Sequence, residues 1–253
     1  MPEGLPHRGD AGGLTPAATV VPVRDGDAGL EVLLLRRSSG GAFGGMWVFP
    51  GGQVDASDVA PAYRQDAGGS PPLDARRAAT AGEQAELAAA RRAAVREARE
   101  EAGLLLAEGE LVALSHWVPP PEAPRRFATW FFVAPAGSGH AVVVDETEIH
   151  EHRWTSPAAA MQARDSAQIE LAPPTYLTLW WLHPHGDVDA VIAAAASRPP
   201  ERFSVKLAFD EQRQVRATLW DGDEGFADGD LRRPGPRRRL WLDPAGWRVE
   251  IAR

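Results

Sequence analysis

Three glutamates in one short run carry the strongest chemical signal in this chain. Glu97, Glu100 and Glu101 lie in Arg96-Glu97-Ala98-Arg99-Glu100-Glu101-Ala102-Gly103-Leu104, inside helix-forming sequence that runs unbroken from Glu83 to Ala102. On a helix these carboxylates fall within an arc of about 100°. Val95, Ala98 and Ala102 take the opposite face, small enough to let the helix pack closely on a sheet. Such crowding opposes folding unless a counter-charge is present. Glu97 and Glu101 repel as an i,i+4 pair by roughly 0.2–0.5 kcal/mol. All three sit near the negative end of the helix dipole, at about 0.3–1 kcal/mol each when exposed. Arg96 can reach Glu100, but one guanidinium does not neutralise three acids. A hard cation would, and an oxygen-only donor set selects Mg²⁺, Mn²⁺ or Ca²⁺ over zinc. The competing reading is an acidic surface relieved by Arg91, Arg92 and Arg99.

Composition narrows the chemistry further. The 253 residues carry a formal net charge of -8, are 44% hydrophobic and include no Cys. That suits one large domain, or one domain with an appendage. Disulfides, thiolate zinc sites and Cys nucleophiles are excluded. A net negative field disfavours nucleic acid as the main partner and leaves room for a small phosphorylated molecule. No apolar run reaches membrane-spanning length, so no membrane partner is expected. Residues 1–13 are rich in Gly and Pro, lack an apolar core segment, and read as a disordered lead-in rather than a signal peptide. Ile251-Ala252-Arg253 is no recognisable address tag, and a cytoplasmic location is the default expectation.

The elements that must hold the acids follow from pattern. Strands are expected at Thr15–Val23 and Leu30–Leu35, joined by the turn sequence Arg24 to Gly29. Ser38–Gly45 reads as a loop, then Met46–Phe49 as a short strand ending in Pro50-Gly51-Gly52. Asp55–Gly82 has little periodicity. Leu111–Val118, Phe127–Ala134 and Ile149–Trp154 are strand-like; Pro157–Arg164, Thr175–His183 and Val188–Ser197 read as helices. Gly103 is a plausible stop for the glutamate helix. After Pro199-Pro200, strands are expected near Phe203–Phe209, Val215–Trp220, Leu240–Leu242 and Trp247–Ile251, as a small β appendage. The Arg-rich run Arg232–Arg239 reads as a solvated loop. The mixture of strands and helices indicates an α/β sandwich.

Arg96 to Leu104 resembles the second half of the Nudix box, RE-U-x-EE-x-G-U. The first half, a glycine then five residues then an acid, is matched by Gly52, Gln53–Ser57 and Asp58, with Asp in place of Glu. Trp47-Val48-Phe49-Pro50-Gly51-Gly52 before it is also family-like. The acid and the Arg are normally seven residues apart; here 59–95 intervene, so the box is split by an insertion at about 59–82. An unsplit fit starting at Gly82 puts Ala88 at the acid position. Upstream LLLRRS, then RRFATWFF and LAPPTYLTLWWL, resemble the branch containing peroxisomal coenzyme A diphosphatases and their bacterial relatives. Arg125-Arg126-Phe127, Glu148, Trp154 and Pro173-Pro174-Thr175 carry that part of the likeness.

The resemblance implies a Nudix-type α/β/α sandwich with a mixed sheet at 14–198 and a C-terminal β-rich extension at 199–253. It implies an Mg²⁺- or Mn²⁺-dependent diphosphatase in which metal ions bridge the diphosphate and water attacks phosphorus. Coenzyme A or acyl-coenzyme A is the expected substrate; ADP-ribose, NADH, a nucleotide sugar or a non-catalytic nucleotide-binding role are the alternatives. Glu97, Glu100, Glu101 and the Gly51 carbonyl are the metal candidates. Glu100 or Glu101 is the water base, Arg96 orients Glu100, and Glu148 is a further acid in a late loop that is otherwise an acidic turn. Arg125, Arg126 and Arg37 are candidates for gripping phosphate, or else charged strand ends. Trp117, Trp130 and Phe131 are offered to a base or, better, to the core. Many relatives pair, so a homodimer is compatible with the resemblance, although no apolar stripe demonstrates one.

Overall fold

Period-two burial in the first two strands sets up the architecture. The computed structural model describes residues 13–38, 43–59, 80–137, 142–144 and 148–252. In β1 (Thr15–Gly26), Ala18 and Val20 face one side of the sheet while Val21 and Val23 face the other. In β2 (Gly29–Arg37), Leu33 and Leu35 join the first side, and Leu30, Val32 and Leu34 the second. Both faces are therefore apolar and both must be covered.

One cover is the glutamate helix, α1 (Ala81–Ala102). It starts with a capping box: Thr80 Oγ1 accepts from the Glu83 N–H at 3.2 Å, and the Thr80 N–H donates back to Glu83 at 3.1 Å. Ala90, Ala93, Ala94, Ala98 and Ala102 are buried against the sheet. Gly103 ends the helix at φ 66°, and its N–H and that of Leu104 close the last turn on Arg99 and Ala98 carbonyls. Arg91, expected to relieve the acidic face, is buried instead. It donates to the Leu111 and Glu108 carbonyls beyond the helix and lies over the Phe132 ring. The opposite face is covered by α2 (Pro157–Asp165), α3 (Pro173–Leu182) and α4 (Val188–Ala196). The insertion expected at 59–82 shrinks at its far end, because Ala81 and Gly82 belong to α1; residues 60–79, like most of the 1–13 lead-in, lie outside the described residues.

Among the described residues the sheet is mixed and has eleven strands. After β1 and β2 come β3 (Trp47–Val48), β4 (Gly51–Gln53), β5 (Val112–Val118), β6 (Phe127–Pro135) and β7 (Ile149–Thr155). The central pair, β1 with β6, is parallel; β4 returns antiparallel onto β1 through Thr19↔Gly51 and Ala18↔Gly52. The C-terminal strands β8 (Glu201–Phe209), β9 (Val215–Trp220), β10 (Arg237–Asp243) and β11 (Gly246–Ala252) are where the sequence indicates them. They continue the same sheet, because β8 runs parallel to β5 from Ser115↔Glu201 to Val118↔Ser204.

Geometry corrects the second half of the Arg-rich run, whereas residues 232–236 form the expected exposed loop. Arg237, Arg238 and Arg239 lie in β10, and Arg239 is completely buried. Its guanidinium makes a two-pronged bond to Asp223, at 2.7 Å and 2.5 Å, and donates to the Leu231 carbonyl. Asp223 also accepts the Arg238 and Gly225 N–H groups. Burial alone would raise the Asp223 pKa, but these donors hold it below the ordinary value. Removing one partner leaves an unpaired buried charge. Asp223→Asn should therefore lower unfolding free energy in urea by about 3–5 kcal/mol; a change under about 0.5 kcal/mol would contradict this role.

Candidate functional site

The close fit of α1 on the sheet brings its acidic side to the backbone of β4. The Gly51 N–H donates to Glu101 Oε2 at 2.9 Å. At Gly52 a Cβ would run into a Glu97 carboxylate oxygen, so a side chain there would displace that carboxylate. Glu101 is buried and Glu97 nearly so, with side chains 6% and 15% exposed, whereas Glu100 is 59% exposed. One helix face thus presents two sheltered carboxylates and one open to water.

Arginines supply the positive charge. Arg96 donates to Glu97 at 2.8 Å and to Glu100 at 3.1 Å, so the expected contact with Glu100 is present. Its firmer partner is Asp58, reached from Nε at 3.3 Å and Nη2 at 2.9 Å, and it also donates to the Gln53 carbonyl at 3.0 Å. Asp58 is buried and closes its own turn by accepting the Asp55 N–H at 2.8 Å; its carbonyl takes Arg92 Nε. The hydrogen bond to Asp58 is the main reason that Arg96 holds its proton even more firmly than usual. Asp58, not Ala88, thus meets Arg96, and Gly82 lies in the first turn of α1, so the unsplit fit has no counterpart. Arg37, at the end of β2, reaches Glu101 at 3.2 Å and Glu148 at 2.8 Å.

The site candidates divide accordingly. Arg37, Gly51, Arg96, Glu97, Glu100, Glu101 and Glu148 are brought together. Arg125 and Arg126 lie instead on the turn entering β6, Arg125 exposed and Arg126 half-buried. Trp117, Trp130 and Phe131 are core residues: Trp117 stacks on Phe203 at 4.0 Å, and Trp130 packs under α1 with its ring N–H on Glu86 at 2.9 Å. His116 is largely buried beside Trp130, and burial lowers its pKa. His183 and His185 lie in the turn after α3. Asp145, Glu146 and Thr147 fall outside the described residues. Glu148 is the acid expected in a late loop, and its pairing with Arg37 is set by the sheet rather than by any local spacing.

Burial dominates the electrostatics. Desolvation pushes the Glu101 carboxyl up to about 7, against the opposing pull of the Gly51 N–H and Arg37. Desolvation also raises Glu97, despite Arg96. Among the described residues, no group of three or more acids or histidines is already gathered around one point that a metal ion would occupy. Guanidiniums engage the carboxylates there. The donor set itself fits a hard cation: carboxylate oxygens, two of them sheltered, beside a glycine backbone that admits close approach.

Comparison with known proteins agrees with the layered fold. Residues 78–176 match the family model of the NUDIX domain, from just before α1 into α3. The chain is similar to a NUDIX hydrolase from Alicyclobacillus acidocaldarius, with 23% identity over 74% of this chain and 97% of that one, at a TM-score of 0.58. It is more distantly similar to the NUDIX domain of Shewanella oneidensis NrtR complexed with ADP ribose, with 17% identity over 66% and 85% of the chains and a TM-score of 0.45. An Ap4A hydrolase from C. elegans gives 19% identity over 72% and 99%, with a TM-score of 0.44. No curated protein matches the chain. The fold is thus of the Nudix type.

The raised Glu101 pKa has a thermodynamic consequence. Between about 4.5 and about 7 the folded protein binds more protons than the unfolded chain, so stability falls as pH rises through that window. In EDTA, urea unfolding should show a loss on the order of 3 kcal/mol from pH 4.5 to pH 8 that is attributable to this group. Glu101→Gln should flatten that dependence relative to the parent protein; parallel curves would show that Glu101 is not desolvated.

Proposed function

We propose that this protein is an Mg²⁺- or Mn²⁺-dependent diphosphatase whose substrate is coenzyme A or acyl-coenzyme A, giving 3′,5′-ADP and a phosphopantetheine. The observation that carries the reading is the burial of Glu97 and Glu101 against the Gly51-Gly52 backbone, where guanidiniums supply the positive charge. In this reading Glu97, Glu100, Glu101 and the Gly51 carbonyl hold the cation. A hard dication bound there lowers the pKa of a water and neutralises charge developing on the phosphoryl oxygens.

The chain's own groups do the positioning. Asp58 and the Gln53 carbonyl anchor Arg96, which keeps Glu97 and Glu100 on one side of the helix. Glu100 is open to solvent, whereas both oxygens of Glu101 are engaged by Gly51 and Arg37. Glu100 is therefore the better placed of the two to accept a proton from water. Arg37, Arg125 and Arg126 are assigned to phosphate groups of the substrate, by two-pronged bonds. Support for the coenzyme A branch comes from the segments around Arg37, Arg126 and Thr175. The last of these is tied to the glycine-rich segment: Trp47 donates to the Glu170 carbonyl at 2.9 Å and bridges Leu171.

Product analysis by mass spectrometry in ¹⁸O-water tests this on a panel of coenzyme A, acyl-coenzyme A, ADP-ribose, NADH and nucleotide sugars. Coenzyme A should be cleaved to 3′,5′-ADP, with turnover stopped by EDTA and restored by Mg²⁺ or Mn²⁺. Cleavage confined to the other compounds would replace the substrate; no cleavage of any would favour a non-catalytic nucleotide-binding role. Glu100→Gln and Glu101→Gln should each lower kcat by about 100-fold or more with the fold retained. Full activity in both would overturn the assignment.

A further inference from the structure

Arg37 and Arg96 both neutralise the acidic face, yet they are held very differently. The Arg96 guanidinium is fixed from outside the acidic group by Asp58 and the Gln53 carbonyl. Among the described residues Arg37 has no such anchor: its Nη1 meets Glu101 Oε1 at 3.2 Å and its Nη2 meets Glu148 Oε2 at 2.8 Å. Glu148 is itself 62% exposed. Alternation along β2 turns neighbouring Arg36 to the other side, where it pairs with Glu151 at 2.7 Å. A break in the β2–β7 register falls between Arg36 and Arg37, at the last residue of the strand. Of the two Glu101 oxygens, Oε2 takes the Gly51 N–H, so Oε1 is the one left for a cation, and Arg37 stands on it.

We propose that Arg37 is an exchangeable counter-ion, holding Glu101 and Glu148 before a divalent cation binds and transferring to substrate phosphate oxygens afterwards. This rests on the reading of Glu101 as a cation ligand. A guanidinium and a dication on one carboxylate repel strongly in a sheltered site. The displaced guanidinium stays tethered at the strand end, beside any diphosphate that the cation holds, and its forked N–H groups match phosphate oxygens. Arg37 thus opposes the cation alone and favours the cation together with a diphosphate. By linkage, each ligand raises the affinity of the other by the same factor.

The test is Mn²⁺ binding read from the electron paramagnetic resonance of the free ion, with and without methylenediphosphonate, a diphosphate analogue that cannot be hydrolysed. Arg37→Gln should bind Mn²⁺ alone about fivefold or more tighter than the parent protein, and the tightening caused by the diphosphonate should shrink by about tenfold. Arg37→Lys keeps the charge but not the fork. It should bind Mn²⁺ alone as the parent does while losing most of the coupling, and it decides the matter if the Gln variant does not fold. Arg36→Gln should change neither quantity. Equal Mn²⁺ affinity and equal coupling in parent and Arg37 variants would overturn the exchange while leaving the cation site standing. Absence of Mn²⁺ binding by the parent protein at millimolar concentration would overturn the cation site itself, and the exchange with it.

Discussion

A carboxylate taken out of water must meet positive charge or N–H donors, or else keep its proton. The end of α1 takes two such groups out of water at once, and much of the surrounding structure answers that demand. Glu101 receives the Gly51 N–H and Arg37; Glu97 receives Arg96. Arg96 in turn is held by Asp58, whose turn immediately follows β4. Even so, burial prevails and both carboxyls remain shifted upward. A site in this condition has electrostatic free energy to gain from any dication that can reach it.

The fold creates that condition by close packing. Ala98 and Ala102 are fully buried, so α1 lies near the sheet, where the Gly51 N–H reaches Glu101 and Gly52 lies against the Glu97 carboxylate. A larger residue at Ala98 would lift the helix and return the carboxylates to water. The other face of the sheet, under α2, α3 and α4, carries the larger apolar cluster. Farther out, β8–β11 extend the sheet and are pinned by their own buried Arg239–Asp223 pair.

Local pattern was enough to read the elements and the acidic face. Apolar runs on either side of the Arg24–Gly29 turn sequence indicated β1 and β2, helix formers with Gly103 as the stop indicated α1, and the spacing of Glu97, Glu100 and Glu101 indicated their common face. Pairings across long separations were not readable in that way. Arg96 meets Asp58 across the segment that splits the motif, and Arg37 meets Glu148 from opposite ends of the domain. Nothing in the spacing of these residues encodes such contacts; the sheet order does. Arg239 shows the same limit more sharply. Among neighbouring arginines it is the one whose strand position points it inward, and its partner Asp223 lies in the turn after β9. A run of charges looks solvated until the strand that carries it is known.

The central claim is that the acidic side of α1 and the Gly51-Gly52 backbone together form a cradle for a hard divalent ion. Crystals grown with Mn²⁺ and examined by anomalous scattering test it most directly. The account predicts an anomalous peak bounded by Glu97, Glu101 and the backbone of Gly51, within coordination distance of their oxygens. A fully occupied peak elsewhere on the molecule, or none here at saturating Mn²⁺, would contradict it.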